Sequence, residues 1–154
     1  MSSKLDRSNN PGQNRYIDTR GVEAASVSFT QAVINGLATG GGLYVPEELP
    51  RLSLDDITSL TQLPYRDRAA FIYRAFNIDL PDDEIDTCMA RSYGANFDTE
   101  SICPITSLDD GMHLLELWHG PTSAFKDMAL QCLPQFFSAS ASSLREAGKL
   151  DHDF

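Results

Sequence analysis

The chain is 154 residues long and 42% hydrophobic, the size of one ordinary domain and apolar enough to bury a core. Its 22 Asp and Glu outweigh 12 Lys and Arg, and the net charge of −10 repels phosphate backbones and anionic headgroups, which argues against nucleic acid and membranes as partners. No apolar run approaches a membrane span, no secretory core opens the chain, and the odd set Cys88, Cys103 and Cys132 has no disulfide or zinc spacing, all of which fits a reducing cytoplasm.

Residues 1–14, MSSKLDRSNNPGQN, are polar with a Pro-Gly turn signal and read as a disordered tail. In SFTQAVINGLATGGG, Ser28 can cap a helix and Gln31, three residues on, can close a capping box. Phe29, Ala32, Val33 and Leu37 then supply the buried stripe, and Gly40 to Gly42 the stop. LYVPEELP is a short extended piece broken by Pro46 and Pro50. Ser53, with acids behind it, opens a second helix. YRDRAAFIYRAFN places Ala69, Ile72, Tyr73 and Phe76 at helical spacing. LPDDEIDTCMARSYG has Pro81 at a first-turn position, acids after it and Gly94 as the stop. Four helices between residues 28 and 94 therefore form a small helical layer. The histidines, His113, His119 and His152, show no spacing suited to metal ligation, so no metal is expected.

The character changes near residue 101. ICPITSLDDGMHLLELW reads as two short strands around an Asp-Asp-Gly turn. After the loop HGPTSAF, one long helix is expected from about Ser123 to about Ala147, kinked by Pro134. Gly148 ends it, and KLDHDF opens a further extended segment, so the pieces make most of a βαβ unit and an α/β class. A chain that stops before the second strand leaves Leu133, Phe136 and Phe137 short of cover. An exposed apolar patch and self-association are the expected results.

Lys126 stands in the first turn of that expected helix, among Phe125, Met128, Ala129 and Leu130. On the plain reading it is a surface lysine whose charge Asp127 offsets. The alternative starts from the helix dipole, which opposes an ammonium there by a few tenths to about 1 kcal/mol. Lost hydration adds to that, and both effects favour the neutral amine, the form that attacks an aldehyde. Both readings remain open on these grounds.

The residues also carry a resemblance. LELWHGPTSAFKDMALQ closely resembles the segment of threonine synthases that holds the pyridoxal phosphate lysine, and SFTQAVINGLATGGGLYVPEELP resembles the opening of the same family. The similarity runs from Tyr16 to Phe154. It implies a small, mostly helical N-terminal domain over 15–100, followed at 101–154 by the first strands and helix of a fold-type-II pyridoxal phosphate domain. By the family pattern Lys126 is both the catalytic and the cofactor-binding residue, holding pyridoxal 5'-phosphate as a Schiff base and then shuttling protons. The implied reaction turns O-phospho-L-homoserine and water into L-threonine and phosphate, in the cytoplasm. Asp127 and Phe125 match the motif and are assigned a helix-dipole and a packing role. His119 matches too, either approaching the substrate or capping local backbone.

Family members are considerably longer. The Ser-Gly-x-Thr-Gly loop, the Gly/Asn-rich phosphate cradle and the partner of the pyridine nitrogen have no counterpart in these residues. The expectation is thus an N-terminal piece of a pyridoxal phosphate-dependent lyase of threonine biosynthesis, inactive alone, with the cofactor absent or weakly held. The competing readings are a non-catalytic binding module derived from the enzyme and a threonine synthase-like phospholyase.

Overall fold

The computed structural model describes residues 12–150, and its first helix starts where the sequence carries its clearest cap. In α1 (Phe29–Asn35) the Ser28 hydroxyl accepts from the Gln31 N–H while the Gln31 side chain accepts from the Ser28 N–H, so the capping box closes. A second cap arrives from far along the chain. The Asp79 carboxylate accepts from the Thr30 N–H at 2.9 Å and from its hydroxyl at 2.7 Å. The helix ends sooner than the glycine run implies, because Gly36 already takes a left-handed φ of +69° and breaks the ladder. Leu37 therefore lies past the helix, 58% exposed, and leaves the buried stripe to Thr30 and Ala32.

The glycines at 40–42 serve the next turn instead. β1 (Tyr16–Asp18) pairs antiparallel with β2 (Tyr44–Pro46), Ile17 opposite Val45. Asp18 accepts hydrogen bonds from the backbone N–H groups of Arg20, Val22 and Glu23. A Cβ at position 42 would stand 1.8 Å from Asp18 Oδ1, so only glycine fits beside that carboxylate. The fold also takes in one residue read as tail. Asn14 is buried, donates its N–H to the Asn77 carbonyl, and exchanges side-chain hydrogen bonds with the Glu48 backbone. Residues 1–11 of that stretch lie outside the described residues.

α2 (Leu54–Leu60) is capped by Ser53 and Asp56, and α3 (Tyr65–Ala75) and α4 (Asp82–Ser92) follow, which completes the four helices read between 28 and 94. α3 buries Ala70 and Phe71 outright, and Ile85, Cys88 and Met89 of α4 pack into the same core. β3 (Ile105–Ser107) and β4 (His113–Leu115) form an antiparallel hairpin, Ile105 opposite Leu115, across a 3-10 turn at Asp109–Gly111.

Beyond the hairpin the structure corrects the sequence reading. The single kinked helix expected over 123–147 is two helices, α5 (Asp127–Leu130) and α6 (Leu133–Glu146). Proline has no N–H to give to the carbonyl four residues back, but in a first turn none is required. Pro134 therefore starts a new helix rather than bending an old one. α6 lies on α1 and α4, and the Phe136 ring meets those of Phe29 at 5.2 Å and Tyr73 at 4.5 Å. Phe136 is 3% exposed, so it is core and not part of an apolar patch, whereas Leu133 does stand in solvent. The mixed helix-and-strand class holds. The segment expected to begin a second strand is irregular at 149–150, and 151–154 lie outside the described residues. Among the described residues no helix is long and apolar enough to cross a membrane.

Candidate functional site

The stretch HGPTSAFKD folds around a buried carboxylate. Asp127, the first residue of α5, is fully buried, and its Oδ2 accepts from the Thr122 N–H at 2.8 Å and from the Thr122 hydroxyl at 2.9 Å. Burial pushes this carboxyl up, but the hydrogen-bond donors around it, the two of Thr122 first, together hold it below the ordinary value. The Ala124 N–H and the Gln131 amide lower it further by proximity, since Oδ1 makes no hydrogen bond. Asp127 thus ties down the loop that precedes α5, a larger part than complementing a helix dipole. Thr122 and Ser123 do not cap α5: Thr122 donates to Asp127, and Ser123 turns the chain at φ +52° with its N–H on the Gly120 carbonyl.

Gly120 is required by the same arrangement. A Cβ there would come within 2.4 Å of the Asp127 Cβ. Gly120→Ala is expected to lower stability by about 1–3 kcal/mol through overpacking, read as a shift of the urea midpoint. An unchanged midpoint would mean that the loop yields freely at this point.

Lys126 occupies the N-cap position of α5 with helical φ and ψ of −59° and −26°. Its side chain is exposed, and among the described residues no hydrogen bond or ion pair reaches it. Its apolar neighbours leave the side chain open to water, and α5 is a single helical turn. What sets Lys126 apart is its place on the wall of a cleft of about 540 Å³, where it is the one charged side chain among the lining residues. The remaining wall is apolar or weakly polar: Leu115 and Leu117 beside the hairpin, Cys103, Met128 and Phe125 near α5, and Tyr65 from the start of α3. Tyr65 is missed by sequence reasoning, since nothing in YRDRAAF signals that α3 will face this loop. Phe125 is 67% exposed and lines the cleft instead of packing in the core.

The His119 ring does not cap local backbone; it lies between two carboxylates. Its Nδ1 lies 2.6 Å from Asp98 Oδ1 and its Nε2 lies 2.7 Å from Glu116 Oε2. The bond to Glu116, then that to Asp98, raises the imidazole pKa above 6.5. Glu116 is lowered in turn, first by the Thr106 hydroxyl and then by His119. Trp118 stacks against the imidazole at 5.6 Å.

The cleft suits part of a pyridoxal phosphate molecule. Its apolar wall matches a flat aromatic ring and the free amine of Lys126 matches an aldehyde, but no second cation lines it to receive a phosphate group.

The family model for the threonine synthase N terminus matches residues 15–93. Threonine synthase from Pseudomonas aeruginosa is 42% identical over 120 residues, covering 77% of this chain and 25% of the relative. Human threonine synthase-like 1 is 36% identical over 133 residues, or 80% of this chain and 18% of that protein. The solved structure of a PLP-bound threonine synthase from Brucella melitensis superposes with a TM-score of 0.78 at 32% identity, over 88% of this chain and 28% of that one. The chain thus spans about a quarter of the length of the threonine synthases it matches.

Proposed function

The chain belongs to the threonine synthase family, and on that footing we propose that it is the N-terminal part of an enzyme that converts O-phospho-L-homoserine and water to L-threonine and phosphate. In this reading 15–100 is the N-terminal domain, 101–154 opens the catalytic domain, and the protein works in the cytoplasm on a small-molecule substrate. The observation that carries it is Lys126, a free amine on an apolar cleft, inside a loop held by Asp127 and Gly120.

When bound, pyridoxal phosphate supplies an electron sink for chemistry next to an amino-acid nitrogen. The chain's own contributions are separate. Lys126 would hold the cofactor through its Nζ, and the same Nζ, as a free amine, would take up and return protons. Asp127, through Thr122, keeps the backbone under that amine in place. The apolar wall, with Tyr65 in it, excludes water from the ring face. No cation besides Lys126 lines the cleft to pair with the phosphate group, so the segment alone is proposed to bind the cofactor weakly and to be inactive. The exposed apolar side chains of the hairpin and α5, Ile105, Leu115, Phe125 and Leu130, are the surface proposed for any self-association of the segment.

Incubation with pyridoxal phosphate, borohydride reduction and peptide mapping tests the lysine. The label is expected on the peptide holding Lys126, with Lys4 and Lys149 as internal controls. Equal labelling of all three would remove Lys126 from the site. A second reading is a threonine synthase-like phospholyase that makes no threonine; the similarity to human threonine synthase-like 1 supports only that the family extends beyond proteins named threonine synthase. Phosphate release without threonine from a full-length protein would favour it.

A further inference from the structure

The Lys126 loop is held at both ends. At its far end stands Asp127, bonded back to Thr122. At its near end stands His119, whose carbonyl accepts the Asp98 N–H at 3.0 Å and whose ring bridges Asp98 and Glu116. Gly120 connects the two anchors, being buried directly against Asp127.

A carboxylate can only accept, so both ring nitrogens satisfy their partners only when both carry a proton. We propose that His119 is a positioning residue for Lys126: as a doubly protonated imidazolium it clips the loop between Asp98 and Glu116, and loss of one proton loosens the clip. The value of the position for Lys126 rests on the cofactor reading given above, whereas the clip itself does not.

The charged groups facing the ring come from two segments. Asp98 lies in the stretch after α4, and Glu116 directly follows β4. Thr106 of β3 bonds the other Glu116 oxygen at 2.5 Å, so the hairpin holds that carboxylate in place. Arg66 and Glu100 line a neighbouring cavity that Asp98 also lines. Trp118 covers the ring but carries no charge. The direction with pH follows from the raised imidazole pKa. The clip contributes fully below the unfolded-state value near 6.5 and is lost as pH rises through the higher folded-state value.

The whole chain is titrated by NMR without cofactor. The imidazole nitrogens of His119 report protonation, and ¹³C-dimethylation of the lysines reports Lys126, assigned through Lys126→Arg. The expected result is a His119 midpoint above 6.5 with both nitrogens protonated at neutrality, and a Lys126 signal that shifts with the same midpoint. Asp98→Asn with Glu116→Gln keeps the shape of the pair, removes its charge, and is expected to draw both midpoints back towards 6.5. Circular dichroism checks that this variant folds, and if it does not, the titration of the unmodified chain decides alone. A His119 midpoint at or below 6.5, or a Lys126 signal indifferent to it, overturns the proposal. Both readings are taken without pyridoxal phosphate, so failure of borohydride labelling counts against the cofactor reading and leaves the clip untouched.

Discussion

Lys126→Ala, in a full-length threonine synthase carrying this segment, is expected to lower turnover by orders of magnitude and leave the melting temperature unchanged. Stability is spared because the side chain is exposed and, among the described residues, makes no hydrogen bond or ion pair. Its backbone is already helical, a conformation alanine favours. Turnover is not spared, because covalent capture and proton transfer both pass through one amine. The visible absorption of the bound cofactor should vanish with it. Lys126→Arg should be equally inactive, since a guanidinium stays protonated and forms no imine. Threonine formation by either variant would leave Lys126 as an ordinary surface lysine.

Phe136→Ala is expected to cost about 3–5 kcal/mol, the range for emptying an aromatic site in a core. Against a total of roughly 5–15 kcal/mol for a domain, that brings the chain close to unfolding at ambient temperature. The size follows from the site, where Phe136 touches the rings of both Phe29 and Tyr73 and so joins α6 to α1 and α3. Leu133→Ala, three residues away but 53% exposed, should change stability by no more than about 0.5 kcal/mol. Urea unfolding of the two variants side by side separates them. Equal, small losses would mean that α6 is not part of the core and that the patch expected over Leu133, Phe136 and Phe137 exists after all.

The contrast between Phe136 and Leu133, neighbours in one helix, shows where legibility in the sequence ends. Ser28 with Gln31 and Ser53 with Asp56 were readable because a capping box spans three residues and needs no partner from elsewhere. The hairpin over 105–115 was readable for the same reason, its turn residues lying between the strands they join. The Asp79 carboxylate on Thr30 was not, since 49 residues separate the partners. The end of α1 lies at Gly36 and not at the triple glycine, because a glycine-rich stretch gives no hint which residue will take a left-handed φ.

The candidate site divides along the same line. The motif HGPTSAFKD singled out Lys126 and Asp127, and the resemblance pointed to the family, all from residues read in order. The roles within the motif came from contacts that order does not encode. Asp127 is a loop anchor because Gly120 folds onto it, His119 is a bridge because Asp98 arrives 21 residues earlier in the chain, and Tyr65 reaches the cleft from a different helix. Local preference acts over one turn of chain, so caps, turns and motifs are written in the sequence. Burial, by contrast, depends on which distant surfaces meet, and that is settled only when the whole core closes.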